Sequence, residues 1–181
     1  MVIQIPAGVK LPEDFNAIIE IPTDQGEVKY EFDKESGLLL VDRFMPTAMF
    51  YPCNYGFVPS TLAEDGDPVD VLVITPYPVV PASMLRVRAL GILMMTDEKG
   101  EDSKILAAPI EKACSQLAHI KSLKDVSPVL LKAIAHFFEH YKDLEPNKWV
   151  TVKGWEDKAV AERELLSGVK RYQESCTSMA K

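Results

Sequence analysis

The chain is poor in the residue types that build several familiar kinds of site. Only three of its 181 residues are cysteine. Cys53, Cys114 and Cys176 include no CxxC pair and cannot all pair with one another, which argues against a disulfide framework and a Cys-rich zinc site. Histidine is as scarce. His136 and His140 stand four apart without the HExxH pattern, so a polar contact between subunits suits them better than zinc, and His119 is isolated. No apolar run approaches the roughly 18 residues that span a membrane. The N-terminal MVIQIPAGVKLPEDF carries Pro6, Gly8 and Pro12 where a signal peptide keeps its apolar stretch, so a cytoplasmic protein is expected. Basic excess is missing too: 20 Lys and Arg face 27 Asp and Glu, a net charge of −7. Binders of nucleic acid carry the opposite sign, because phosphate neutralisation needs cations. Walker-type GxxxxGK[ST], GxGxxG and EF-hand patterns are all missing, as are internal repeats.

What remains is an ordinary globular composition, 47% hydrophobic. Its length suits one domain over residues 1–181, since a chain of about 150 residues hides roughly 70% of its unfolded surface. Segments 15–21, 28–33, 38–43, 69–74, 84–95 and 104–109 are short, rich in β-branched residues and bounded by Gly, Pro and Asp. Strands in succession without helices between them predict an antiparallel barrel or sandwich. Seven prolines fall between Pro46 and Pro81, marking a long excursion that Phe44, Met45, Met49, Phe50, Tyr51, Tyr55 and Phe57 anchor. The last third reads as helical. One helix should start at Ser127, its hydroxyl capping and Pro128 in the first turn, with Leu130, Leu131, Ile134, Phe137, Phe138 and Tyr141 on one face. A second should run from Asp157 to Gln173, weakened at Gly168.

Two acidic loops stand out. In DGDPVDV, Asp65, Asp67 and Asp70 crowd six residues that lead into an apolar strand, with Gly66 and Pro68 restricting the turn. In TDEKGED, Asp97, Glu98, Glu101 and Asp102 join two apolar strands. Each alone reads plainly as a solvated turn. Facing one another at one end of a barrel, they would form a site of hard oxygen ligands suited to several Mg²⁺ ions. Lys29, Arg43, Lys104, Lys142, Tyr51, Tyr55 and Tyr141 supply the donors that phosphate oxygens need, although a solvent-facing or ion-paired role is open to each cation. If Glu20, Glu31, Asp42, Asp65, Asp67, Asp70, Asp97 and Asp102 share a pocket with those four cations, its formal charge is −4. Metal should then enter before, or together with, a phosphate.

Read together, these motifs make the chain resemble the family I soluble inorganic pyrophosphatases of bacterial type. The residues that carry the likeness are IEIP at 19–22, KYE at 29–31, VDRF at 41–44, YPCNYGF at 51–57, DGDPVDV at 65–71, TDEKGED at 96–102, DSK at 102–104 and HFFEHYKDLE at 136–145. They run in order across residues 3–155 and leave 156–181 as a variable C-terminal helix or tail. Pro46 and Phe57 depart from the family pattern only at its flanks. The resemblance implies a mainly β, α+β fold: a five-stranded OB-like closed barrel with two α-helices in the C-terminal half. It implies hydrolysis of pyrophosphate to two phosphates with several Mg²⁺, in a homohexamer that engages neither nucleic acid nor membrane. Asp65, Asp70, Asp97 and Asp102 would be metal ligands and Asp67 the catalytic base. Lys29, Arg43 and Tyr55 would hold the phosphate under attack and Tyr141 and Lys142 the leaving phosphate. Lys104 completes the substrate-binding set, with Glu20, Glu31, Asp42, Tyr51 and Glu98 in support. Two alternatives stay open: a metal-dependent phosphatase acting on a larger phosphoanhydride, and a non-catalytic OB-type binding module.

Overall fold

The computed structural model describes residues 5–33 and 36–179. Its strands are β1 (Phe15–Ile21), β2 (Val28–Phe32), β3 (Leu39–Phe44), β4 (Asn54–Phe57), β5 (Asp70–Val73), β6 (Met84–Asp97), β7 (Gly100–Glu101), β8 (Lys104–Pro109) and β9 (Val150–Asp157). Helix α1 covers Pro128–His140 and α2 covers Lys158–Met179.

Five strands close on themselves in the order β1-β4-β5-β8-β6, and β6 returns to β1 through the pairs Phe15↔Val87 to Ile18↔Met84. Renumbered within the ring the order is 1-2-3-5-4, the connectivity of an OB-type barrel. An all-antiparallel ring was expected, but β5 and β8 run parallel, in register from Asp70↔Lys104 to Val73↔Ala107. The chain leaves β5, travels along β6 and the β6–β7 hairpin, and returns beside β5 in the same direction. The long β6 is the spine. It pairs with β1 and β8 and carries β7 and β9 beyond the ring.

The sequence reading missed β4, the two-residue β7 and β9. Asn54–Phe57 lay within the proline-rich excursion, yet it is a central strand, buried throughout and paired on both sides. Gly56 makes this possible: a Cβ there would lie 1.8 Å from the Ile18 carbonyl oxygen of β1. By contrast β2 and β3 form a separate two-stranded ribbon rather than part of the ring.

Alternation sorts the ring's side chains into two clusters. Val71, Val73, Ile105, Ala107, Phe15 and Ala17 pack in one, together with Ala161 and Leu165 of α2. Leu72, Leu106, Leu93 and Tyr55 belong to the other, which takes Ile134, Phe137 and Phe138 of α1. Helix α1 begins as expected, with Ser127 at its N-cap and Pro128 in the first turn, but the Ser127 side chain makes no capping bond. Helix α2 runs six residues past the expected Gln173 and straight through Gly168, which is buried against Val69. Two of the cysteines are not exposed, and burial, then Asp24, pushes the Cys53 thiol up to about 12, so it stays unreactive.

Candidate active site

One end of the ring opens into a cavity of about 470 Å³, and the topology explains which residues reach it. The ends of neighbouring strands necessarily meet there. Asp70 starts β5 and Lys104 starts β8, side by side in register. Asp97 ends β6, and Asp102 follows β7. The loop ahead of β5 brings Asp65 and Asp67; Gly66 at its tip has φ +89°, a conformation glycine adopts without strain. Across the opening, Lys29 and Arg43 are a cross-strand pair of the β2–β3 ribbon. Glu20 and Glu31 line the wall with Tyr55, and α1 delivers Tyr141 and Lys142 from just beyond its last turn.

Every candidate named from the sequence lines this cavity except Asp42, Tyr51 and Glu101, the last of which pairs with Lys153. Asp42 stands behind the cations, 3.3 Å from Lys29 Nζ and 2.7 Å from Arg43 Nη1. Those two neighbours outweigh its partial burial and hold its carboxyl below the usual range. Tyr51 is buried against Tyr55 and Phe137, with ring centroids 5.4 and 4.6 Å away, so it braces the wall. Four charged residues of the site, Asp33, Lys99, Glu145 and Lys148, were given no role from the sequence. Glu145 grips Arg43 at 3.1 Å, Lys148 pairs with Glu98, and Lys99 stands 3.8 Å from Asp67.

Among the described residues nine carboxylates and six cations line the cavity, a formal charge of −3. Its inner part is buried, and there Lys104 and Lys142 are ion-paired with three of the aspartates. The buried Lys104 ammonium donates to both Asp70 and Asp102. Burial alone would lower its pKa, but the two carboxylates win and raise it, so the ammonium stays charged. Lys142 donates to Asp97 at 2.7 Å. Asp97 is held below the usual range because Lys142 and the Lys99 amide together exceed the effect of burial. Glu20 is opposite in character. Burial, helped by Asp70, lifts its carboxyl to about 7 against the pull of the Phe32 amide, which donates to it at 2.7 Å. Burial likewise pushes Tyr55 and Tyr141 well above the ordinary phenol range, so both keep their protons at neutral pH and can donate.

The donor set fits a hard dication: the lining offers carboxylate oxygens and no Cys or His. Among the described residues no three acidic, His or Cys side chains stand close enough together to share an ion. Lys104 and Lys142 draw Asp70, Asp102 and Asp97 toward themselves instead.

The model of the family described as inorganic pyrophosphatase matches residues 17–173. The chain belongs to the inorganic pyrophosphatase family. It is 57% identical over 168 residues to the inorganic pyrophosphatase of Yersinia pestis, covering 93% of this chain and 96% of that one. It is 56% identical over 169 residues to that of Escherichia coli K12, with the same coverage. An inorganic pyrophosphatase structure from Coxiella burnetii superposes with a TM-score of 0.91 at 65% identity, over 93% of this chain and 99% of that one. The family match also reaches past Glu156, where the sequence motifs ended, and takes in β9 and most of α2. No described helix is long and apolar enough to cross a membrane.

Proposed function

We propose that this chain hydrolyses inorganic pyrophosphate to two orthophosphates with Mg²⁺ ions bound among Asp65, Asp70, Asp97 and Asp102. The observation that carries this is a single cavity in which carboxylates outnumber cations while Lys29, Arg43, Tyr55, Tyr141 and Lys142 remain as phosphate donors. Such a cavity repels a polyanion until cations enter, and then attracts it. Bound Mg²⁺ would neutralise this charge and acidify water.

The chain's own groups then divide the work. Lys29 and Arg43, set side by side on the ribbon, hold the phosphate under attack, and the neutral Tyr55 hydroxyl donates to it. Arg43 is pre-aligned between Asp42 and Glu145. Water attacks in line: its oxygen bonds to one phosphorus as the bridging P–O bond breaks, and its proton passes to a carboxylate oxygen of Asp67. Tyr141 and Lys142 receive the departing phosphate, whose charge grows as that bond breaks. Lys104 keeps the inner acids in place. We further propose a cytoplasmic homohexamer, in which the exposed apolar side chains of Phe44, Val129 and Leu144 would be available for contacts between subunits.

Phosphate release from pyrophosphate, ATP and p-nitrophenyl phosphate, each with Mg²⁺ and with EDTA, tests the proposal. Release from pyrophosphate should exceed the other two by orders of magnitude and vanish in EDTA. Equal rates on all three substrates, or turnover that survives EDTA, would refute it.

A further inference from the structure

Helix α2 carries none of the sequence motifs, yet it holds the loop that presents Asp65 and Asp67. Both aspartates are exposed, and among the described residues Asp67 reaches a cation only at 3.8 Å, on Lys99. The loop tip is a self-contained turn: Ala63 N donates to the Asp67 carbonyl at 2.6 Å, and Asp67 N to Asp65 Oδ1 at 3.0 Å. The turn has two stems: Val69, whose amide donates to Thr61 Oγ1 at 3.0 Å and whose carbonyl accepts from Val58 N at 2.8 Å, and Leu62, which helix α2 holds. The Leu62 amide donates to the Gly168 carbonyl at 3.0 Å, and its carbonyl accepts from Arg171 Nε at 2.7 Å. Both backbone groups of one stem residue are thus tied to the same helix. A carbonyl has two lone pairs, so Gly168 can accept this bond within a helix. Arg171 is fixed in turn by Glu164 on the same helix. The approach is close enough that a Cβ on Gly168 would meet Val69 Cγ2 at 2.6 Å and the Leu62 oxygen at 3.2 Å.

We propose that Arg171 is a positioning residue for the site: through Leu62 it helps set where Asp65 and Asp67 present their carboxylates to dications. This rests on the reading that those carboxylates serve Mg²⁺ in pyrophosphate hydrolysis. The physical need is tight. Mg²⁺ demands near-octahedral oxygens at about 2.0–2.1 Å, and an exposed turn on a loose stem cannot keep oxygens within tenths of an ångström.

The test compares the full chain with Arg171→Met, Arg171→Lys and Gly168→Ala. Lys170→Met serves as the control, because among the described residues Lys170 makes only an exposed pair with Glu174. Hydrogen exchange of the amides of residues 62–67, calorimetric Mg²⁺ binding without substrate, and the Mg²⁺ concentration for half-maximal phosphate release are measured on each. Loss of an outer partner of a metal site weakens binding about 10–100-fold, and Arg171 acts one step further out, so R171M should weaken Mg²⁺ binding roughly 3–10-fold. Half-activation should rise by the same factor, and exchange should quicken in 62–67 but not in β5 or β8. R171K keeps a donor and should recover most of the loss. Wild-type Mg²⁺ affinity in R171M overturns the proposal even if exchange quickens, and so does an equal loss in K170M. Should R171M fail to fold, G168A decides: unchanged exchange and Mg²⁺ affinity there overturn it. A wild-type chain that does not hydrolyse pyrophosphate with Mg²⁺ defeats the underlying reading instead, and the Mg²⁺-binding and exchange data separate the two failures.

Discussion

Asp67 and Asp70 are three residues apart and sit in different surroundings. Asp67 is exposed at the cavity mouth, its side chain 62% accessible, with Lys99 as a loose neighbour. Asp70 is held inside by Lys104. A base needs access to water and a ligand needs a fixed oxygen, so their substitutions should separate. Asp67→Asn should lower turnover by about 10²–10⁴-fold at saturating Mg²⁺ while leaving calorimetric Mg²⁺ binding largely intact. Asp70→Asn should weaken that binding itself. Undiminished turnover in Asp67→Asn would remove the base. Glu20 gives a second residue-scale prediction, for metal-free protein. Its carboxyl ionises near 4.5 when unfolded and at about 7 when folded. Below 4.5 both states are protonated and ionisation makes no difference to stability. Between 4.5 and 7 only the unfolded state releases its proton, so stability falls with rising pH and levels off above 7. At about 1.4 kcal/mol per pH unit the loss is on the order of 3 kcal/mol. Melting in EDTA at pH 5 and pH 8 should show this fall in the wild type and a smaller one in Glu20→Gln; equal falls would contradict it. The motifs revealed most side chains of the site. Glu145 and Lys148 were illegible because their meaning lies in partners 102 and 50 positions away, which only the fold brings near.

At the scale of elements, the ring depends on how closely β4 lies on β1. The Gly56 Cα faces the Ile18 carbonyl so directly that an added methyl has no room. Gly56→Ala should therefore force the two strands apart and destabilise by about 1–3 kcal/mol or more. That is a drop in thermal midpoint of roughly 2–12 °C for a chain of this size. A midpoint within a degree of wild type would show that the strands part without loss. The same strand shows what limits the sequence reading. The strands β1, β5, β6 and β8 announced themselves through apolar runs of aliphatic residues, whereas Asn-Tyr-Gly-Phe offers four residues, one a glycine and one a buried asparagine, between prolines. Its strand character comes from two neighbours rather than from its own propensity. Strand β9 is similar: its pattern TVKGWED alternates weakly, and pairing with β6 determines it. Helix α1, with a regular apolar face and a proline start, was legible from its first turn to its last. Helix α2 was legible as far as Gln173, through Gly168; its last six residues, Glu-Ser-Cys-Thr-Ser-Met, carry no apolar face to announce them.

For the whole molecule, the ring's service is to bring segments spread from Glu20 to Lys148 to one opening. Charge then orders the events. With nine carboxylates against six cations among the described lining residues, the cavity should reject phosphate on its own and accept it after dications have entered. Calorimetric titration of inorganic phosphate into the protein, once in EDTA and once saturated with Mg²⁺, measures this directly. Phosphate should bind in Mg²⁺ and give no measurable binding in EDTA. Equal affinity under the two conditions would mean that the lysines and Arg43 hold phosphate unaided, and that the acidic cluster is not a metal site.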